Sequence, residues 1–366
     1  MVLAIGPIGG DAGNSSVQQR KGWDVNISES AIAGFERIVR GVENGYHGIV
    51  VIHSTALGPA VGGTRFWNYA GEEDALRDAQ RLARGMTYKN ALAGLPIGGG
   101  KSVILGDNRI KDREALFRAH GRLVESLQGT YITAQDVGTT TSDMRFVLQE
   151  TRHVGGWGDD PSPITARGVF RAMQAAAKYR WGSDDLAGKT VALQGCGNVG
   201  YGLAERLHAA GVRLLVSDVD EDRVQRAAGQ LGAIRVLPDE IYGVPADIFA
   251  PCGLGAILND ETIPQLRTEM VVGAANNQLL EPRHGEALRA RGILYAPDYA
   301  ANAGGIISFG MDCLKWDREF MLKTVDGIYD TLLNIFAIAE REGIATSVAA
   351  DRLAEERISR QRQAAD

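Results

Sequence analysis

A chain of 366 residues with 45% hydrophobic content is long enough to bury a core in each of two domains. Its net charge of -6 and isoelectric point near 5.6 argue against a nucleic-acid partner, which calls for a basic face, and no apolar run approaches the length of a membrane span. The three cysteines, Cys196, Cys252 and Cys313, form no Cys-x-x-Cys pair and the six histidines show no ligand spacing, so a metal site is not expected and a reducing, cytoplasmic setting is.

In chain order, Met1 to Gly22 lacks a basic start and a sustained apolar core, and reads as a loose extension and not as a signal peptide. Up to about Glu150, apolar runs such as Gly48 to His53 and Tyr131 to Thr133 alternate with amphipathic stretches such as Glu72 to Met86, the pattern of an α/β domain. Within it, the stretch GMTYKNALAGLPIGGGKS, Gly85 to Ser102, sets Lys89 and Lys101 on either side of a glycine-rich turn with little other charge nearby. An ammonium among Leu95, Pro96 and Ile97 is poorly solvated, and desolvation lowers a lysine pKa towards the range where it shuttles protons. Two lysines taken alone are more often solvated surface residues. Gly100-Lys101-Ser102 also ends a Walker A pattern, but that pattern needs glycine at Leu95, and Gly94 is one place off. The apolar positions before it, Leu82, Met86 and Ala93, have helical spacing, whereas a phosphate-binding loop follows a strand.

The segment His153 to Pro163, HVGGWGDDPSP, has the composition of a linker or hinge. From Ile164 helices alternate with candidate strands at Thr190 to Gln194, Leu214 to Ser217, Ile248 to Ala250 and Val271 to Gly273, which predicts a parallel sheet. Gly195-Cys196-Gly197-Asn198-Val199-Gly200 matches G-x-G-x-x-G, a weak pattern by itself in a chain with 46 glycines. Its context strengthens it. It follows the strand Val191 to Gln194, opens an amphipathic stretch with Leu203, Leu207 and Ala210, and leads to a second strand ending in Ser217-Asp218. The glycines permit a tight turn and seat a pyrophosphate on a helix N-terminus. Asp218 would accept hydrogen bonds from the adenosine ribose and repel a 2'-phosphate, so NAD is favoured over NADP; Arg223, the one nearby residue that weakens this, is expected on the next helix. After Phe320, Val325, Ile328, Leu332, Phe336 and Ala339 keep a helical period, and Ala349 to Asp366 reads as a charged helical tail.

From about Val50 to Arg357 the chain resembles the glutamate/leucine/phenylalanine/valine dehydrogenase family, through LGPAVGGTR, GMTYKNALAGLPIGGGKS, TAQDVGT, LQGCGNVG, FAPCGLG, GAANNQL and YAPDYAANAGG in that order. The resemblance implies two domains with a cleft between them: residues 1–155 for substrate and oligomerisation, 156–342 as a Rossmann-type NAD-binding domain, and a C-terminal helix at about 343–366 packed back on the first. It implies that Lys89 anchors the substrate carboxylate with help from Asn276, that Lys101 transfers protons beside Asp136, that the Gly63 carbonyl contacts the substrate amine, and that Thr165 and Asn302 lie near the nicotinamide. Taken alone, each of these polar residues is more often a turn or cap residue.

The implied reaction is reversible oxidative deamination: hydride passes to NAD, water deprotonated by Lys101 adds to the iminium, and the carbinolamine collapses to ammonia and a 2-oxo acid. The side-chain pocket implied by the resemblance is Val61, Ala134, Ile306 and Phe309. No cation stands among them, which disfavours glutamate. Ala134 favours leucine, valine or isoleucine, whereas Phe309 shortens the pocket or offers a face to an aromatic substrate. Phenylalanine or tryptophan therefore stays open as an alternative, as does a non-catalytic NAD-binding sensor or scaffold on the same fold. A variant acting on amines without a carboxylate is expected to lose Lys89 or Asn276, and both are present. A homo-oligomer, dimer or octamer, is the expectation of the family.

Overall fold

The structure, a computed structural model, describes residues 25–156 and 160–365; Met1 to Gly22 and the middle of the His153 to Pro163 segment lie outside the described residues. The first half comprises β1 (Asn26–Ile32), β2 (Phe35–Glu43), β3 (Tyr46–Ser54), β4 (Ala60–Trp67), α1 (Glu72–Leu92), β5 (Gly98–Leu105), α2 (Glu114–Ser126), β6 (Tyr131–Gln135) and α3 (Thr141–Leu148). Its sheet runs β1-β2-β3-β5-β4-β6. The first three strands and β5 are joined antiparallel, while β4 lies parallel to both β5 and β6. Helix α1 begins with Glu72, Glu73 and Asp74, which complement the positive end of its dipole. It presses Ala75, Ala79 and Ala83 against Ile49, Val51 and Val103 of the sheet.

Gly98, Gly99 and Gly100 are not a turn: they begin β5, and the turn is the short stretch between Leu92 and Gly98. The reason is the closeness of α1. A Cβ on Gly99 would stand 2.1 Å from the Thr87 backbone nitrogen, so only glycine lets the helix lie on that strand.

The second half comprises α4 (Ser162–Trp181), β7 (Thr190–Gln194), α5 (Asn198–Ala209), β8 (Arg213–Ser217), α6 (Glu221–Leu231), β9 (Ile234–Arg235), β10 (Ile248–Pro251), β11 (Met270–Val271), α7 (Arg283–Ala290), β12 (Leu294–Tyr295), α8 (Asp298–Ala301), α9 (Gly304–Leu314), α10 (Arg318–Asp326), α11 (Ile328–Glu342) and α12 (Thr346–Ala365). Its sheet is parallel throughout, in the order β12-β11-β10-β7-β8-β9. The strand order reverses between β7 and β10, where doubly wound sheets open a crevice at their carboxyl ends. The helical period read after Phe320 is carried by two helices, α10 and α11, meeting at Gly327, with Val325, Ile328, Leu332 and Phe336 all in the core. Helix α12 returns to the first half: Arg357 donates to the carbonyls of Ala91 and Leu92 at the end of α1, and the Tyr88 hydroxyl donates to Glu355.

Candidate active site

Four elements converge on Lys101. It sits inside β5 at 5% exposure, and its Nζ lies 2.9 Å from Asp136 Oδ2, just beyond the end of β6. Burial pushes the Lys101 ammonium below the ordinary lysine range against the pull of Asp136. Burial works to raise Asp136, but Lys101 and Arg65 hold its carboxyl below the usual range. The charge around Lys101 is thus not sparse, as the local sequence suggests. Arg65 of β4 donates through Nε to Asp136 Oδ2 at 3.1 Å and through Nη1 to Asp78 Oδ2 at 2.8 Å.

Lys89, in the last turn of α1, reaches the second half of the molecule. Its Nζ donates to Asn302 Oδ1 at 2.7 Å, and Asn302 Nδ2 donates to Asn276 Oδ1 at 2.8 Å and to the Ala274 carbonyl at 3.0 Å. Burial lowers the Lys89 pKa to about 8, with Lys101 pushing the same way and Asp298 opposing. Asp298 accepts from the Asn277 amide at 2.5 Å and the Tyr295 hydroxyl at 2.9 Å, and burial raises its pKa.

Lys89, Lys101, Gly63 and Asp136 line one cleft of about 860 Å³, together with Val61, Ala134, Ile306 and Phe309. Asn276 and Asn302 do not line it and reach it through Lys89. Thr165, in the first turn of α4, donates to the Pro161 carbonyl and faces Gly305 of the cleft wall. Three methionines, Met86, Met311 and Met321, and an exposed cation, Arg318, also border the cleft. The lack of a cation among the four pocket positions therefore does not extend to the whole cleft, because α10 brings Arg318 to it from another part of the chain.

The opposite face of the same strands carries a buried polar cluster. His120 Nε2 lies 2.9 Å from Thr64 Oγ1 and 3.2 Å from Ser102 Oγ, and its Nδ1 lies 2.9 Å from the Tyr46 hydroxyl. Thr64 also meets Thr133 Oγ1 at 2.6 Å. Burial holds His120 neutral, with a pKa of about 3. Thr64, Ser102 and Thr133 each neighbour a cleft residue, Gly63, Lys101 or Ala134, and the twofold alternation of a strand sends them to the other side. Histidine spacing in the sequence speaks only to metal ligation and carries no signal for this bracing, and no local pattern assigns Arg65, Asp78 or Asp298 a role, although Arg65 lies in LGPAVGGTR and Asp298 in YAPDYAANAGG.

The dinucleotide fingerprint folds as a strand, turn and helix. Gly195 has φ +95, and a Cβ on Gly200 would stand 1.9 Å from the Gly195 carbonyl oxygen. Gly197 caps α5 without a side-chain hydrogen bond, so Asn198, Val199 and Gly200 present amide groups free for an anion. Asp218 follows β8, accepting from the Cys196 amide at 2.6 Å and the Asp220 amide at 2.9 Å. These residues fit a nicotinamide dinucleotide: a tight turn, a free helix terminus and a carboxylate at the end of the second strand. Arg223 does lie on α6, yet its Nη1 comes within 3.9 Å of Asp218 Oδ2.

A parallel dinucleotide fold beside a cleft with a buried lysine and carboxylate defines a nicotinamide-dependent oxidoreductase. Residues 37–153 match the model of the Glu/Leu/Phe/Val dehydrogenase dimerisation domain, and residues 155–222 and 215–365 match that of the Glutamate/Leucine/Phenylalanine/Valine dehydrogenase domain. The chain is 54% identical over 328 residues to a leucine dehydrogenase of Geobacillus stearothermophilus, covering 88% of this chain and 89% of that one. It is 46% identical to a valine dehydrogenase of Streptomyces albus, covering 87% and 90%. The crystal structure of L-tryptophan dehydrogenase from Nostoc punctiforme matches with a TM-score of 0.85 at 48% identity, over 90% of this chain and 97% of that one. The chain belongs to the Glu/Leu/Phe/Val dehydrogenase family and is an amino acid dehydrogenase.

Proposed function

We propose that the protein catalyses NAD-dependent, reversible oxidative deamination of an apolar L-amino acid, with leucine, valine or isoleucine preferred. The observation that carries this reading is the Lys101 to Asp136 pair, 2.9 Å apart, in a cleft whose side-chain wall is Val61, Ala134, Ile306 and Phe309. Relatives named leucine dehydrogenase at 52% to 55% identity support an aliphatic substrate. Phe309 and the three methionines support some aromatic turnover, as does a relative named L-tryptophan dehydrogenase at 51% identity.

In this reading, residues 1–155 bind substrate and 156–342 hold the dinucleotide, with α12 closing back on the first part. The Gly195 to Gly200 turn and the Asn198 end of α5 hold the pyrophosphate, Asp218 holds the ribose, and Thr165 and Asn302 border the nicotinamide, which supplies the hydride acceptor. The support for NAD over its 2'-phosphate form is the Asp218 carboxylate, partly offset by Arg223. Lys89 holds the substrate carboxylate, joined by Asn276 through Asn302, and the Gly63 carbonyl receives the amine. Neutral Lys101 takes the proton of the attacking water and returns it to the departing amine, while ionised Asp136 steadies the positive charge that develops next to it. A homo-oligomer, dimer or octamer, in the cytoplasm completes the reading, supported by the match to a dimerisation domain and by the free thiols of Cys196 and Cys252.

The test is dinucleotide reduction with L-leucine, L-valine, L-phenylalanine, L-tryptophan and L-glutamate, using NAD and NADP in turn. Aliphatic turnover with NAD that falls roughly 10²- to 10⁴-fold in Lys101→Ala is the expected result. Preference for an aromatic or for glutamate refutes the substrate assignment, and no turnover with any of them refutes the activity.

A further inference from the structure

Arg65 stands behind the catalytic pair. Lys101 Nζ at 2.9 Å and Arg65 Nε at 3.1 Å address the same oxygen, Asp136 Oδ2. Arg65 does not line the substrate cleft; it borders a separate cavity of about 460 Å³, with Tyr69 and Asp78. Its guanidinium is fixed there. Nη1 donates to Asp78 Oδ2 at 2.8 Å, and that oxygen also accepts the Tyr69 hydroxyl at 2.9 Å, while Arg81 donates to Oδ1 at 2.9 Å. We propose that Arg65 is a positioning residue that keeps Lys101 in its proton-accepting state by sharing the Asp136 carboxylate with it, and that Asp78 is the anchor of Arg65.

The inference rests on the general-base reading of Lys101 and follows from charge. A carboxylate paired with one lysine favours the ammonium. Shared with a second cation, it stabilises the ammonium less, and that cation also repels it. The charged groups facing Lys101 are Asp136, Arg65 and Asp78, with Lys89 across the cleft, and Arg65 acts against the ammonium while both carboxylates act for it. An arginine suits the task because it stays charged at every working pH and its fork grips two carboxylates at once.

The test reads Lys101 directly in the full-length protein. Its acylation by acetic anhydride is followed against pH by peptide mass spectrometry, beside the pH profile of kcat/KM for deamination, in the native chain, Arg65→Gln and Arg65→Lys. Removing the guanidinium is expected to raise the Lys101 labelling midpoint and the acidic limb of kcat/KM by about one pH unit, and lysine, which keeps the charge but not the fork, to raise them by less. A labelling midpoint that stays in place or falls in Arg65→Gln overturns the proposal. A midpoint that rises while the kinetic limb stays supports the hold of Arg65 on Lys101 and instead removes Lys101 from the base role. Should Arg65→Gln fail to fold, an Arg65→Lys labelling curve identical to the native one overturns the proposal.

Discussion

Two lysines separated by one helix end and one turn meet opposite electrostatic problems. In the proposed reaction Lys101 has to lose its proton to act, and it has a carboxylate beside it, shared with Arg65. In the same proposal Lys89 has to keep its proton to hold the substrate carboxylate, yet burial brings its pKa to about 8. The sign of the consequence is definite: below about pH 8 the free protein presents a charged Lys89, and above it the charge is lost, so carboxylate binding weakens as pH rises. For 4-methylpentanoate, which has no amine to titrate, the inhibition constant is expected to rise roughly tenfold per pH unit above that point, because each pH unit removes the protonated fraction tenfold. An inhibition constant flat between about pH 7 and pH 9 would show that Lys89 does not carry the carboxylate in the way assigned to it. Both lysines were legible in the sequence because they sit in one unbroken motif. Arg65 and Asp78 were not, since neither lies near Asp136 in sequence and only the pairing of β4 with β6 and the packing of α1 bring them together.

Among the elements, α1 and β5 set the distance between those lysines. Helix α1 rests on β5 through Thr87 against Gly99, and the helix carries Lys89 two residues further on while the strand carries Lys101 two residues further on. Gly99→Ala forces a methyl to within 2.1 Å of the Thr87 nitrogen, a backbone atom that moves only with the helix. The expected cost is on the order of 1–3 kcal/mol, read as a lower midpoint of urea unfolding, with a raised KM for the amino acid because Lys89 moves too. An unchanged midpoint would show that the helix is not held against the strand. A run of three glycines signals either a turn or a close approach of backbones, and nothing local separates the two. The dinucleotide fingerprint was easier to read, because a strand before it and an amphipathic helix after it are themselves local patterns.

Across the whole molecule, the cleft is bounded by both halves, and Lys89 bridges them through Asn302. In the proposed reaction a substrate carboxylate on Lys89 would compete with that bridge, and a dinucleotide on the second half would bring its own contacts to the same gap. Binding is therefore expected to change the angle between the halves, excluding water from Lys101. Solution scattering with NAD and 4-methylpentanoate together should give a smaller radius of gyration than the free protein, and identical profiles would count against closure.

The sequence by itself determined the class of fold, the fingerprint turn, both lysines and the family, because each is written in contiguous residues whose spacing is a local property of strand, turn or helix. Tertiary structure decided what surrounds those groups: the glycine strand under α1, Arg318 at the cleft, the His120 brace behind Lys101, and the Arg65 to Asp78 chain beyond Asp136. Electrostatic fields and close contacts depend on distance in space, and residues far apart in the chain acquire those distances only when the strands pair and the helices pack.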